Sequence, residues 1–280
     1  MRPVTFHSEP EPVRRQPIEV AQNVLRVTAD NPSVMTYHGT NTYLIDTDEG
    51  VYVLDPGPAS DQSHLKWLVE YLGGIAAGII LSHHHSDHFG LVPQLKAELD
   101  VPVFAYEIFA DDTFRPDVGL KDGDVVAGMK VLHTPGHASD HLCFSMDNGV
   151  LFSGDHVMGW NSSIVSPPDG DMTAYFAQLQ RLLERSDTLY LAGHGPSVTD
   201  PLPYVRQLLN HRVRREQGII EALQSGAITS KELASKLYHK TDPNLAEAAL
   251  RNVEAHLLKL KSDVIAKQNA AGGWMLAGNL

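Results

Sequence analysis

The feature that most constrains this chain is the segment at residues 82–88, where four histidines and one aspartate directly follow an apolar run. Imidazoles and an ionised carboxylate are costly to bury unless a positive group binds them. Zinc prefers imidazole nitrogen and carboxylate oxygen, so a divalent metal is the expected partner. The spacing H-x-H-x-D-H lets His83 and His85 point the same way, while Asp87 and His88 reach a second metal.

Three later segments share one arrangement, in which an apolar, strand-like run ends in a tight turn that carries a histidine or an aspartate. They are Thr-Pro-Gly-His at 134–137, Ser-Gly-Asp-His at 153–156 and Ala-Gly-His-Gly at 192–195. Loops at strand ends are where ligands from distant segments converge. One such motif alone is a weak signal, but four in this order and with these residue types are specific.

Together these motifs resemble those of the metallo-β-lactamase-fold hydrolase superfamily. The resemblance implies a first metal on His83, His85 and His137, a second on Asp87, His88 and His194, and Asp155 bridging both. It implies two zinc ions per chain, although iron and manganese also accept these ligand types. It further implies hydrolysis by a hydroxide between the metals, with Asp87 and Asp155 as the catalytic carboxylates. Penicillin-destroying members of the best-known subclass carry cysteine where Asp155 stands and are exported. Neither feature appears in this sequence, so we do not expect a β-lactamase.

Asp55 follows an apolar run at residues 51–54 and precedes Pro-Gly-Pro. A carboxylate at the end of a buried strand needs a partner, and the resemblance implies that Asp55 orients the metal-binding imidazoles. The alternative is an aspartate that merely forms a turn before proline.

Strand-like and helical patterns alternate up to residue 200, which indicates an α/β fold. The resemblance implies a four-layer αβ/βα sandwich over residues 18–200, after an extended, proline-rich arm at 1–17. Residues 201–280 read as three helices and a β-hairpin, and we expect a small winged-helix-like domain there. This pair of domains resembles the lactamase-beta-like protein 2 branch of the superfamily, over roughly residues 20–277.

Three candidates for substrate contact lie near the metal motifs. Trp160 and Met172 flank an irregular stretch that follows the bridging aspartate, although a connection with one buried tryptophan is an equal alternative. His141 is a candidate proton donor to a leaving group, whereas a core or surface histidine is the commoner case.

Arg212 is the fourth candidate and belongs to a cluster with Arg206, Arg214 and Arg215. The cluster predicts a phosphate-facing patch, but a charge run on a helix is more often a solvated face. The branch includes endoribonucleases that act on single-stranded RNA, so RNA competes with a thioester or another small ester as the substrate. From another class, a winged-helix unit beside a vestigial metal site predicts a nucleic-acid-binding regulator, which the complete ligand set argues against.

The net charge of −12 means that the mean field of the chain does not attract nucleic acid. No apolar run reaches the roughly 18 residues that a membrane span needs, and the first residues lack a secretory h-region. Cys143 is the single cysteine, which excludes an intrachain disulfide. We therefore expect a cytoplasmic protein without a membrane span, either a monomer or a homodimer.

Overall fold

The computed structural model describes residues 4–226, 228–239 and 242–278 of the chain. Within those residues the chain forms a seven-stranded sheet, a six-stranded sheet and a two-stranded hairpin. The first sheet contains β1 (Ile18–Ala21), β2 (Val24–Thr28), β3 (Asn41–Thr47), β4 (Gly50–Leu54), β5 (Ala76–Ile80), β6 (Val103–Tyr106) and β7 (Val118–Leu120). The second contains β8 (Val125–Val126), β9 (Met129–His133), β10 (Leu142–Ser145), β11 (Val150–Gly154), β12 (Leu189–Ala192) and β13 (Val198–Thr199).

The strands of the first sheet lie in chain order, antiparallel from β1 to β4 and parallel from β4 to β7. The second sheet is ordered β13-β12-β11-β10-β9-β8, and β11 and β12 are its parallel pair. Parallel pairs need crossovers, and helices α1 (Gln62–Leu72), α3 (Val92–Leu99) and α4 (Met172–Leu183) lie in three of them, whereas β6 and β7 are joined by a loop.

Three apolar layers hold the sandwich together. The inner faces of the sheets pack on each other, with Tyr43 against Phe152 in an edge-on ring contact. Helices α1 and α3 cover the outer face of the first sheet through residues such as Leu68 and Leu95. Helix α4 covers the second through Tyr175 and its neighbours. The predicted four-layer α/β fold is confirmed.

The remaining elements form the C-terminal part of the chain. They are α5 (Pro201–Leu223), α6 (Ser230–Leu237), a 3-10 turn (Pro243–Leu245), α7 (Ala246–Ser262), β14 (Ala266–Gln268) and β15 (Trp274–Leu276). A capping box begins α6, because Thr229 Oγ1 accepts from the Glu232 amide while Glu232 Oε2 accepts from the Thr229 amide. Helix α7 begins at Ala246, after the 3-10 turn that starts at Pro243. None of the helices in the described residues has the length and apolarity to cross a membrane.

The N-terminal arm lies extended against the sandwich. Its Glu9 carboxylate pairs with the buried Arg26 guanidinium at 2.8 Å. The carbonyl oxygen of Glu9 lies 3.2 Å from His38 Nε2 and accepts from Tyr37 Oη at 3.3 Å. The arm therefore holds the loop between β2 and β3, which borders the candidate site. Residues 1–3 of the predicted arm lie outside the described residues.

Candidate metal centre and its pocket

Five strands end at one edge of the sandwich, and the loop after each contributes a polar side chain. The strands and their contributions are β4 with Asp55, β5 with residues 83–88, β9 with His137, β11 with Asp155 and β12 with His194. Helix α2 (Ser86–Phe89) begins inside the histidine-rich segment and turns Asp87 and His88 back toward the other loops. The structure thus brings all seven predicted ligands into one cluster.

The first group in the cluster consists of His83, His85 and His137. His85 Nδ1 lies 2.9 Å from His83 Nε2 and 3.0 Å from His137 Nε2. The outer nitrogen of His137 donates to the Ile164 carbonyl at 2.6 Å, and that of His83 to Ser82 Oγ at 2.9 Å. Each of these two imidazoles therefore presents a lone pair, not a proton, to the centre of the group.

The second group consists of Asp87, His88 and His194. His194 Nε2 lies 3.1 Å from Asp87 Oδ2 and 3.3 Å from His88 Nε2. The outer nitrogens are again occupied, because His88 Nδ1 donates to Asp55 Oδ2 at 2.9 Å and His194 Nδ1 to the Gly39 carbonyl at 3.3 Å. Two imidazole nitrogens and a carboxylate oxygen converge here.

Asp155 lies between the two groups. Its Oδ2 is 3.7 Å from His137 Nε2 and 3.3 Å from His194 Nε2, while Oδ1 is 3.5 Å from His88 Nε2. Oδ1 is buried and has no hydrogen-bond partner. Gly193 permits this approach, since a Cβ at that position would lie 2.4 Å from Asp155 Oδ1. A buried, unpartnered carboxylate oxygen indicates a missing positive ligand.

The donor set fits two divalent ions. His85 Nδ1 can donate at most one proton, so at least one of the two nitrogens that it faces, on His83 and His137, keeps a lone pair for a cation. Each group collects its donor atoms within 4.8 Å. Neutral imidazole is the form that binds metal, and burial lowers the pKa of His85 to about 3. Burial opposes protonation of His194 as well, but Asp155 and Asp87 raise its pKa to about 9. The carboxylates thus attract a positive charge to the second group.

Asp55 supports one imidazole in each group. Its Oδ2 accepts from His88 Nδ1 and, at 2.6 Å, from Ser82 Oγ, which in turn accepts from His83 Nδ1. Its Oδ1 accepts from the Ser82 amide at 2.8 Å. The backbone of Asp55 is left-handed, with φ of 54°. The structure thus places Asp55 beside these imidazoles, and its role in orienting them stays a prediction.

The cluster opens into a pocket of about 800 Å³. Much of the lining is apolar: Val34, Met35, Met158, Trp160, Ile164, Pro167 and Pro168. The side of the pocket opposite the strand ends comes from the C-terminal part of the chain, through Asn244, Glu247, Ala248 and Arg251. Arg251 pairs with Glu247 at 3.1 Å and with Glu254 at 3.6 Å.

The substrate-contact predictions have mixed outcomes. Trp160 lines the pocket, with its ring 5.1 Å from that of Tyr37. Met172 does not, because it is 2% exposed and packs beneath the second sheet. His141 is fully buried, with Nδ1 on Thr134 Oγ1 and Nε2 accepting from the Asp155 amide, so its predicted role as a proton donor is wrong.

Arg212 was predicted to belong to a phosphate-facing patch on the surface, and this prediction is wrong. Arg212 is 2% exposed and donates to Asn252 Oδ1 at 3.0 Å and to the carbonyl of Ser163. It lies beside a separate, smaller cavity and not in the metal pocket. Helix α5 carries it into the junction with α7, where a buried guanidinium satisfies backbone and amide oxygens.

Sequence reasoning missed two parts of the lining. Val34 and Met35 are exposed in the structure, and the available sequence signal was two apolar residues directly after the turn-forming Asn-Pro-Ser at 31–33. Glu247 and Arg251 carry no such signal, because an i, i+4 pair on a helix is an ordinary surface feature.

Comparison with known families identifies both parts of the chain. Residues 35–194 match the model of the metallo-beta-lactamase superfamily, and residues 229–274 match the beta-lactamase associated winged helix domain. The second match confirms the predicted winged-helix-like unit. The seven clustered residues begin inside the first match and end at its last residue, His194.

Curated relatives cover most of the chain. A beta-lactamase-like protein 2 homolog of Drosophila melanogaster is 30% identical over 265 residues, spanning 87% of this chain and 89% of its own length. An atrochrysone carboxyl ACP thioesterase of Aspergillus chevalieri is 28% identical, spanning 93% and 89%. The crystal structure of a metallo-beta-lactamase family protein of Thermus thermophilus superposes with a TM-score of 0.78 at 22% identity, covering 92% of this chain and all of that one. This last likeness shows the fold alone.

Proposed function

The chain belongs to the metallo-β-lactamase superfamily and is a hydrolase, and from this premise we propose that it hydrolyses an acyl thioester with two divalent ions bound at the cluster. Zinc is the proposed metal, because three imidazoles in one group and two with a carboxylate in the other are ligands it prefers. We propose His83, His85, His137 and Asp155 for one ion, and Asp87, His88, His194 and Asp155 for the other. Bound there, the ions would activate water and polarise the carbonyl.

One observation carries the choice of a thioester, namely the apolar lining beside the cluster. Met35, Trp160 and Ile164 line the pocket and offer an acyl chain an apolar surface. Burying an acyl chain there contributes about 0.8 kcal/mol per methylene. The relative named as an ACP thioesterase supports the same substrate class.

The lining does not favour the predicted single-stranded RNA substrate. Phosphodiester strands are bound by several cations along a groove and by aromatic side chains that stack on bases. Among the described residues that line this pocket, Arg251 is the one lysine or arginine, and two glutamates already pair with it. Asp169 and Glu247 add negative charge. RNA cleavage is therefore the second candidate, to be tested beside the first.

A residue outside the proposed ligand set orients two of the metal-binding imidazoles. We propose that Asp55 fixes the ring orientation of His88 directly and that of His83 through Ser82. The regulator hypothesis does not fit a hydrolase in which all seven ligands converge. A cytoplasmic location and a monomeric or homodimeric state stay predictions from the sequence.

The test combines metal content with a substrate panel. We expect about two zinc ions per chain by mass spectrometry of the purified protein. We expect chelator-sensitive release of thiol from acyl-pantetheine and acyl-coenzyme A thioesters, with KM falling as the acyl chain lengthens. A fluorescent single-stranded RNA forms the second arm. RNA cleavage with no thioester turnover would replace the proposed substrate.

A pair of variants tests the apolar lining. Met35→Ser places a polar group on the pocket, and Ile75→Ser makes the same change at an exposed position away from it. We expect Met35→Ser to raise KM for an octanoyl thioester about tenfold and to leave KM for an acetyl thioester nearly unchanged. Equal effects on the two thioesters, or an equal effect of Ile75→Ser, would argue against acyl binding on this surface.

A further inference from the structure

A second cavity, of about 210 Å³, adjoins the metal pocket at the junction of the two parts of the chain. Four residues line both spaces: Asn161, Ser162, Ile164 and Ala248. The smaller cavity is otherwise lined mainly by helices α5 and α7, together with Phe6 of the N-terminal arm. The two cavities therefore adjoin along these four residues.

The second cavity is positively charged. Arg212 and Arg215 line it, and no aspartate or glutamate is among its described lining residues. Within the described residues, neither guanidinium forms an ion pair, since their recorded partners are neutral oxygens and aromatic rings. This is unusual in a chain with a net charge of −12. A buried cation without a counterion is costly, so an anion is expected to compensate it.

The two arginines are also preorganised. Arg215 Nη1 donates to the Leu237 carbonyl at 2.8 Å, and its guanidinium lies 4.2 Å from the centre of the Tyr238 ring. The Nε atoms of Arg212 and Arg215 are buried and have no partner. Guanidinium groups held in this way bind phosphate with little loss of side-chain entropy.

The positive charge of the arginines also lowers the pKa of a neighbouring histidine. His211 lines the cavity, and burial together with Arg212 and Arg215 lowers its pKa to about 3. His211 is therefore neutral at physiological pH and leaves the positive charge of the cavity to the arginines.

We propose that this arginine cavity binds a phosphate group of the substrate's carrier arm while the thioester lies at the metal cluster. The inference rests on the proposed thioesterase function and specifies its substrate class: thioesters of phosphorylated pantetheine, as opposed to unphosphorylated thiols. The apolar lining receives the acyl chain, and the cavity receives the anion. The arginine cavity then determines substrate selectivity, while the metal cluster carries out the hydrolysis.

Binding without turnover is the first test. Calorimetric titration of the metal-loaded protein compares 4′-phosphopantetheine, pantetheine, inorganic phosphate and a short single-stranded RNA. We expect 4′-phosphopantetheine to bind about tenfold more tightly than pantetheine, which corresponds to about 1.4 kcal/mol. Arg215→Gln should remove that preference, and Arg214→Gln, which removes the same charge from a position outside the cavity, should keep it. Arg212 is left intact because it also holds Ser163 and Asn252.

Turnover is the second test. For acyl-phosphopantetheine, Arg215→Gln should raise KM about tenfold with kcat unchanged, and KM for acyl-pantetheine should not move. Equal losses on the two thioesters would overturn the proposal, as would equal binding of phosphopantetheine and pantetheine. Arginine-dependent binding of the RNA alone would overturn it in favour of a nucleic acid.

The two tests separate the cavity from the proposed reaction. A preference for phosphopantetheine that depends on Arg215, without any hydrolysis, supports the cavity and refutes the thioesterase function. Hydrolysis of both thioesters without a phosphate preference retains that function and refutes the cavity.

Discussion

The two sides of the metal pocket are built on different principles. On the sandwich side, the imidazoles are buried, and the outer nitrogens of His83, His88, His137 and His194 each meet a fixed partner. On the opposite side, Glu247 and Arg251 form a solvent-exposed pair on α7, with side chains that are 72% and 46% exposed. Such a pair contributes only about 0.3–0.5 kcal/mol and changes partners easily.

The difference indicates a division of labour. Rigid, mutually bonded groups keep the donor atoms in place, which chemistry at a metal cluster requires. An exposed pair on a helix can move to accept different substrates. We therefore expect changes on the sandwich side to reduce kcat and changes on the α7 side to act on KM.

The largest expected effect comes from removing a proposed metal ligand. His137→Ala or Asp87→Ala should reduce turnover to the background of the assay, because each removes a donor atom that no neighbour replaces. Circular dichroism should show that the helical C-terminal part remains folded. Retention of full activity by either variant would contradict the ligand assignment.

Asp55→Asn is expected to have the next largest effect. Asparagine tolerates the left-handed backbone at this position, but it cannot accept from both Ser82 and His88 as the carboxylate does. We expect metal affinity to fall about 10–100-fold, measured by competition with a chelator. Asp46→Asn, an exposed residue of β3, serves as the control and should leave affinity unchanged.

Acid should weaken the sandwich side through His64. Burial lowers the pKa of His64 to about 4, and its Nδ1 has no partner while Nε2 donates to Thr42 Oγ1, which holds the Asp55 carbonyl. The folded-state pKa is below the unfolded value of about 6.5, so the stabilisation is complete above pH 6.5 and is lost as the pH falls toward 4. The expected loss is about 2 kcal/mol by pH 5, measured from urea unfolding. His64→Gln should lack this part of the pH dependence; identical curves for the two proteins would refute the assignment.

The smallest effect is expected on the α7 side. Arg251→Gln should change KM about threefold with kcat retained, because it alters one screened, exposed contact. Lys261→Gln, on the same helix but away from the pocket, is the control. A loss of kcat as large as that of His137→Ala would mean that the two sides are not functionally distinct.

The sequence was most informative where the functional residues lie in short, local segments. The motif at 82–88 and the three strand–turn motifs predict the cluster, because each combines a local strand end with a specific side chain. The capping box at Thr229 is likewise local. The alternating patterns predict an α/β fold and the resemblance implies its four layers, and the structure confirms both.

What the sequence did not predict depends on distant packing. The carbonyls of Ile164 and Gly39, which hold His137 and His194, are backbone atoms with no residue signature. Met172 was predicted to contact substrate because it is apolar and lies near the metal motifs in the sequence, but α4 directs it into the core. Which helix face turns inward at a junction is decided by both partners, so the burial of Arg212 could not be read from α5 alone.

The position of Asp55 has a thermodynamic consequence. One carboxylate supports an imidazole in each group, so filling the first group stiffens a residue that the second group also uses. This stiffening couples the two binding events favourably, and reciprocity makes the factor by which each ion raises the affinity for the other the same in both directions. Ions should enter the protein as a cooperative pair, with a Hill coefficient above one, and Asp55→Asn should return the titration to two independent steps.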